Sequence, residues 1–435
     1  MMDYKLSDLE EWDERILKIA ENHGLDPYPI QYEFIDYFSM IGAVAFHGLP
    51  SHYNHWSFGK SFERTHQLYN IGMEGLPYEL ILNSSPSLAY MMRENPLYLQ
   101  ILIMAHCVGH SDFFKNNRTF KGTRPDTIVG RCRAAKKRFQ SYVEDPSVGI
   151  DKVESTIDAC HAVQFQIQRP GWIRKTRKEI IQHHRDRLKE DPELPDLDLT
   201  HSPLEPDYDI LGFIAENGKL PDWKRDIVEV CRDEGKYFWP QIQTKIINEG
   251  WASYWHYTIL HELDLPPELH VPFIKSHNQV IRPHIGGINP YHLGFQLFQR
   301  IKERKGMDEC FLAREVHHDS SFIRQYLTQD DCEELNLFSY SRKRSGDVTV
   351  DEVSDEKGWE EVKADLVKQV GGGSIPILYI NEHRKNGTLC IGHEHDGRDL
   401  ELAEAKHVVE HIRHLWDDNV VLTTVANNSL SKIEV

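Results

Sequence analysis

The sequence predicts an α+β protein. A mainly α-helical N-terminal domain is expected over residues 1–310 and a smaller ferredoxin-like (βαββαβ) C-terminal domain over residues 311–435. Three observations carry this reading. Apolar residues recur at helical spacing in successive segments before residue 310. One of these, Asn95 to Asn117, has no polar face over most of its length, as a core helix would. The last stretch alternates short β-rich runs with two amphipathic segments in the order β-α-β-β-α-β.

Taken in order, Ser7 and Glu10 suit a capping box, and Leu9, Trp12, Ile16 and Ile19 follow at helical spacing. A second helix is expected over Gln31 to Ala45. The following segment, with Gly48, Pro50, Gly59, His47, His52, His55 and Trp56, suits a structured loop. ELILNSS reads as a strand ahead of the core helix, for which Asn95 and Pro96 fit the N-cap and N1 positions. Ile128 to Glu144 and Gly149 to Gln168 read as helices. Gly171 to Pro206 is a basic run followed by a proline-rich exposed connection. Asp222 to Pro266 should give two helices broken near Pro240, followed by an irregular stretch and a helix from about Leu293 to Arg304. In the C-terminal part, VTVDEV, IPILYINEH, TLCIGHEHD and NVVLTTV read as strands, with Asn386-Gly387 as a hairpin turn. His393 and His395 alternate onto one strand face, where solvent satisfies them.

Composition narrows the function. A formal charge of −18 argues against nucleic acid as the main partner, because phosphate contacts need clustered Lys and Arg. Seven cysteines, odd in number and without a C-x-x-C pair, favour free thiols in a reducing compartment. No stretch approaches a membrane span and the N-terminus lacks a signal-peptide core, so a cytoplasmic location is expected.

The chemistry concentrates on the apolar helix. His106 and His110 stand four residues apart and share one face. Spacing alone is weak, since 25 histidines placed at random in 435 residues give roughly 1.4 such pairs. The weight rests on context: the other pair, His407 and His411, lies on a charged helix, whereas buried imidazoles must be satisfied by partners or a metal. Glu249 sits beside Gly250 and Ala252, small residues that let another backbone approach closely, and His256 follows on the same face. Two His and a later Glu compose the His₂Glu set of catalytic zinc sites, which leaves a position for water. In zinc peptidases of the H-E-x-x-H type the residue after the first histidine is the general-base Glu. Here it is Cys107, so a base has to come from elsewhere, with Asp112, Asp158 and Glu262 as candidates. Glu154, Asp158 and His161 fall on one face of their helix and suit either a second shell or a surface stripe. Together with His106, His110, Glu249 and His256 they would also suffice for a di-iron carboxylate site, with iron in place of zinc, although the Glu-x-x-His repeat is absent.

YNHWSFGKSFE (Tyr53 to Glu63), AHCVGHSDFFKNN (Ala105 to Asn117), DACHAVQFQ (Asp158 to Gln166), NEGWASYWH (Asn248 to His256) and NPYHLGF (Asn289 to Phe295) resemble the signature segments of the SpoVR family, the stage V sporulation protein R-like proteins. GHEHDGRDLE and LWDDNVVLTT fit that family's C-terminal part. In spore formers, the resemblance implies a link to assembly of the spore cortex. Elsewhere it implies association with a PrkA-type serine kinase and a von Willebrand factor A-type protein in sporulation or stress responses. The expectation is therefore a metal-dependent hydrolase of amide or peptide bonds, with two alternatives: a non-catalytic partner of that kinase system, or a di-iron oxidative enzyme.

Overall fold

The computed structural model describes residues 4–70, 79–168, 176–192, 203, 205–284, 287–342, 348–353 and 358–435. They fall into two compact units, Met1–Ala134 with Pro240–Ser374, and Ala135–Trp239 with Ile375–Val435. The units are discontinuous in sequence, which departs from a single break near residue 310. The reason is that residues following 310 complete the first unit: Phe322 and Ile323 are fully buried in its core beside Phe298 and Trp251.

That core is built on three packed helices, Leu97–Asn116, Lys245–Glu262 and Pro290–Lys305. Leu97–Asn116 is buried along nearly its whole length, as its apolar sequence requires. Small residues set the helix spacing. A Cβ added at Gly109 would lie 2.7 Å from the Cα of Ala252, and one added at Gly250 would lie 2.4 Å from the backbone of Gly294. Gly250 and Ala252 thus do what their size suggested.

The Lys245–Glu262 helix is capped from a distant segment. Asp319 accepts from the backbone amides of Ile246 (3.0 Å) and Ile247 (2.9 Å), satisfying two of the helix's unpaired donors. Burial pushes the Asp319 carboxyl up to about 7, against the opposing effect of those amides. The unfolded value is about 3.9. The folded state therefore binds more protons between the two values. This group's stabilisation is complete below about pH 4 and is lost as pH rises through about 7. Melting curves of Asp319→Asn should accordingly show a flatter fall in Tm between about pH 5 and 8 than the parent. An equal slope in the two proteins would contradict this.

A three-stranded sheet borders the helices. Ile30–Ile35 pairs in parallel with Ser87–Met92, which pairs antiparallel with the edge strand Glu79–Leu82. The sheet corrects two expectations. Residues 30–35 form a strand rather than the start of a helix, because a non-local partner, Ser87–Met92, supplies its ladder, and only Tyr37–Ala45 is helical. Residues 56–70 form a regular helix, Trp56–Asn70, instead of a loop; Gly59 is accommodated within it.

In the second unit, the helices Ile150–His161, Ile210–Asn217 and Leu402–Trp416 accompany a four-stranded sheet. Its order is Leu378–His383, Leu389–His393, Val420–Ala426, Ser429–Glu434. The α+β class holds, and the Asn386-Gly387 hairpin joins the first two strands, with Gly387 at φ 92°. The expected βαββαβ sheet does not form as drawn. VTVDEV pairs with the adjacent Phe338–Arg342 in a separate two-stranded ribbon, and the fourth sheet position goes to Ser429–Glu434. That last strand follows a two-residue turn in which Asn427 and Asn428 both have positive φ, the conformation that favours tight hairpins. Of the basic run, the described part is the helix Arg177–Glu190, which buries no residue. The proline-rich stretch after it lies largely outside the described residues. No helix among the described residues is long and apolar enough to cross a membrane.

Candidate metal centre

The helix Leu97–Asn116 places His106 and His110 on the face turned towards Lys245–Glu262, which carries Asn248, Glu249 and His256. The two histidine Nε2 atoms are 3.0 Å apart. Glu249 Oε2 stands 3.7 Å from His106 Nε2 and 3.3 Å from His110 Nε2. Four-coordinate zinc with ligand distances of about 2.0–2.1 Å separates its donors by roughly 3.3 Å, so these three spacings bracket the tetrahedral value. Among the described residues, His106, His110 and Glu249 are the one group of three such donors close enough to hold a metal ion together.

The partners of the three donors favour the same arrangement. Glu249 Oε2 is buried without an aligned hydrogen-bond partner, an exceptional position for a carboxylate oxygen. Burial raises the Glu249 carboxyl, but the neighbouring charges of His110 and His106 outweigh it and leave the group below its usual range, as an anion. For His110 burial lowers the pKa, and Glu249, Asn248 and Glu79 together raise it, for a net upward shift. Asn248 Oδ1 lies 2.9 Å from His110 Nδ1. An amide oxygen only accepts, so Nδ1 carries a proton and Nε2 is the nitrogen left to ligate a metal once its own proton is displaced.

A chain of imidazoles backs His106. Its Nδ1 is 2.9 Å from His256 Nδ1, and His256 Nε2 is 2.7 Å from His277 Nδ1. Burial, reinforced by the neighbouring histidines, holds His256 well below its ordinary pKa and His277 at about 4. Both therefore stay neutral at physiological pH and can orient His106 without adding charge. With both of its nitrogens engaged by imidazoles, His256 lies behind His106, outside the donor triad.

Two further groups face the centre. Glu79, at the start of the edge strand, has Oε1 4.0 Å from His106 Nε2, and burial raises its carboxyl above the usual value despite the nearby imidazoles. Tyr291 stacks on His106 with ring centroids 6.2 Å apart; the Glu249 charge, then burial, pushes its phenol well above the ordinary value. The site opens into a cavity of about 640 Å³ lined by Glu79, His106, Glu249, His256 and Tyr291 together with an apolar wall.

The remaining sequence candidates lie elsewhere. The Asp112 carboxylate, on the same helix as the histidines, accepts from Trp251 Nε1 (2.8 Å) and from the Asp26 amide (2.8 Å), and Arg314 is 3.6 Å away. These contacts occupy it in a buried polar cluster. Glu262 is half exposed and pairs with His23 at 2.8 Å. Cys107 is fully buried and its thiol is raised well above the usual value by burial first, so it remains protonated. Glu154, Asp158 and His161 lie on Ile150–His161 in the second unit. Of the seven residues considered for a di-iron site, the four that share the first unit are His106, His110, Glu249 and His256. Glu79 and Tyr291 were not legible as site residues. Tyr291 stood inside NPYHLGF, whereas Glu79 offered no local signal beyond an acidic residue at the start of an apolar strand.

Comparison with known proteins agrees with the segments that build this centre. Residues 3–375 match a family described as SpoVR like protein. The chain is 31% identical over 479 residues to "Uncharacterized protein YcgB" of Escherichia coli (strain K12), with 96% of this chain and 93% of that protein covered. No solved structure matches significantly. The match over nearly the whole chain, including the segments that carry His106, His110, Glu249 and Tyr291, shows that the protein belongs to the SpoVR-like family.

Proposed function

We propose that the protein is a zinc-dependent hydrolase of amide or peptide bonds, with His106, His110 and Glu249 as the metal ligands. The observation that carries this reading is the buried Glu249 Oε2, without an aligned hydrogen bond, facing two imidazole Nε2 atoms at separations of 3.7 and 3.3 Å. One carboxylate and two imidazoles suit zinc, whereas iron sites of the di-iron kind need more carboxylates. Bound zinc would supply Lewis acidity, polarising a carbonyl and acidifying water.

The chain's own groups supply the rest. Glu79, half-buried and with a raised carboxyl pKa, could take a proton from attacking water near His106 and return it to the leaving amine. It fills the role left open by Cys107. Tyr291 keeps its proton and can donate a hydrogen bond to an oxyanion beside Glu249. Asn248 and the His256–His277 pair hold the two imidazole rings in orientation.

Two results test this. Glu79→Gln in zinc-loaded protein should retain the metal while lowering kcat on a peptide substrate by about 10² to 10⁴; full activity in that variant would remove Glu79 from the mechanism. His256→Ala should weaken zinc binding by about 10- to 100-fold in a chelator competition, and unchanged affinity would show that the imidazole chain does not support the site.

A further inference from the structure

We infer that the cavity is built for peptides or N-acyl amino acids ending in a free carboxylate, which Lys245 holds while an amide near that end lies at the metal centre. This rests on the hydrolase reading and adds the substrate class to it. Two opposed stripes define the cavity. On one helix Leu99, Leu102 and Ile103 lead along a single face to His106, and on the other Lys245 leads to Glu249 exactly one i+4 step on.

Lys245 is the one Lys or Arg among the described residues that line the cavity. It is exposed, and its ammonium has no ion pair or hydrogen bond with a described residue. The cavity's two carboxylates do not neutralise it: Glu249 faces His106 and His110, and Glu79 faces His106. An unpaired ammonium at the edge of a cavity whose floor binds a carbonyl suits an anionic group on the substrate.

Spacing identifies which anion. Lys245 precedes Glu249 by four helical residues, about 6 Å along the axis. An extended peptide covers that distance in about two residues. The carboxylate therefore belongs to the first or second residue beyond the scissile amide. Leu99, Leu102, Ile103, Val280 and Pro290 form the apolar wall, which favours an apolar side chain there. The volume of about 640 Å³ admits a di- or tripeptide rather than a folded chain. In the reaction, water oxygen bonds to the carbonyl carbon and the C–N bond breaks. One water proton passes through Glu79 to the departing amine, and the acyl group leaves as a carboxylate once its remaining water-derived proton passes to that amine or to solvent.

The test uses acetyl-Ala-Phe and its C-terminal amide, titrated by calorimetry into metal-free full-length protein, so that no turnover intrudes. Wild type should bind the acid about tenfold or more tightly than the amide. Lys245→Met should abolish that preference and leave amide binding and zinc stoichiometry unchanged. Equal binding of acid and amide by wild type, a preference that survives Lys245→Met, or tighter binding of inorganic phosphate than of acetyl-Ala-Phe would overturn the assignment. Zinc stoichiometry, measured separately, reports on the hydrolase reading: its absence with the acid preference intact would sink the metal and leave the carboxylate site.

Discussion

Gly250→Ala is expected to destabilise the first unit by about 3 kcal/mol or more, at or above the upper end of ordinary overpacking in a core. The added Cβ would lie 2.4 Å from the Cα and carbonyl carbon of Gly294, and a Cβ on Gly294 would in turn lie 2.2 Å from the Ile246 carbonyl oxygen. Both sides of this contact are backbone. No rotamer change relieves it, so Lys245–Glu262 and Pro290–Lys305 must separate, opening the packing around Trp251 and Phe298. Tm should fall by about 10 °C, at roughly 2–4 °C per kcal/mol for a domain of this size. Gly130→Ala provides the control. It lies in the helix Ile128–Glu144 with nothing within 4 Å of the added Cβ, and should be neutral or stabilising by up to about 1 kcal/mol. Equal melting temperatures for Gly250→Ala and wild type would show that the helices are not in backbone contact there.

Glu249→Ala is expected to abolish stoichiometric metal binding and all metal-dependent activity. The loss removes the one anionic donor of the three and leaves two imidazoles, too few for a structural or catalytic zinc site. Glu249→Gln separates charge from shape. It keeps the side-chain volume between the two rings but gives up the negative charge that raises His110. The glutamine variant should therefore fold normally, by circular dichroism and melting, yet release zinc to a chelator that wild type resists. A glutamine variant that holds zinc as firmly as wild type would exclude the carboxylate as a ligand.

Much of the centre was legible in the sequence because the cues were local and costly to satisfy otherwise. Two imidazoles on a largely apolar helix had to find partners, and they meet each other, Asn248 and Glu249. Gly250 and Ala252 marked a close helix approach and closely follow the carboxylate it delivers. What remained hidden depends on non-local pairing. Glu79 reaches the site through an edge strand whose partner, Ser87–Met92, fixes its register. The same strand gives residues 30–35 a ladder, overriding a pattern that also suited a helix. In the C-terminal sheet, the polar SLSKIE carries little hydrophobic signal. It becomes a strand through the Asn427-Asn428 turn and pairing with Val420–Ala426, displacing VTVDEV from the expected position. The proposed base is the clearest such case: Asp112, Asp158 and Glu262 stand in or close to the motif segments in sequence, whereas Glu79 is near His106 in space.

The most direct test of the metal centre is metal analysis of protein purified without a histidine tag, paired with anomalous diffraction at the zinc edge. One zinc per chain is predicted, with anomalous density between His106 Nε2, His110 Nε2 and the Glu249 carboxylate, lost in His110→Ala. Absence of stoichiometric metal from the wild type, or undiminished metal in His110→Ala, would contradict the centre and leave the cluster as a structural one.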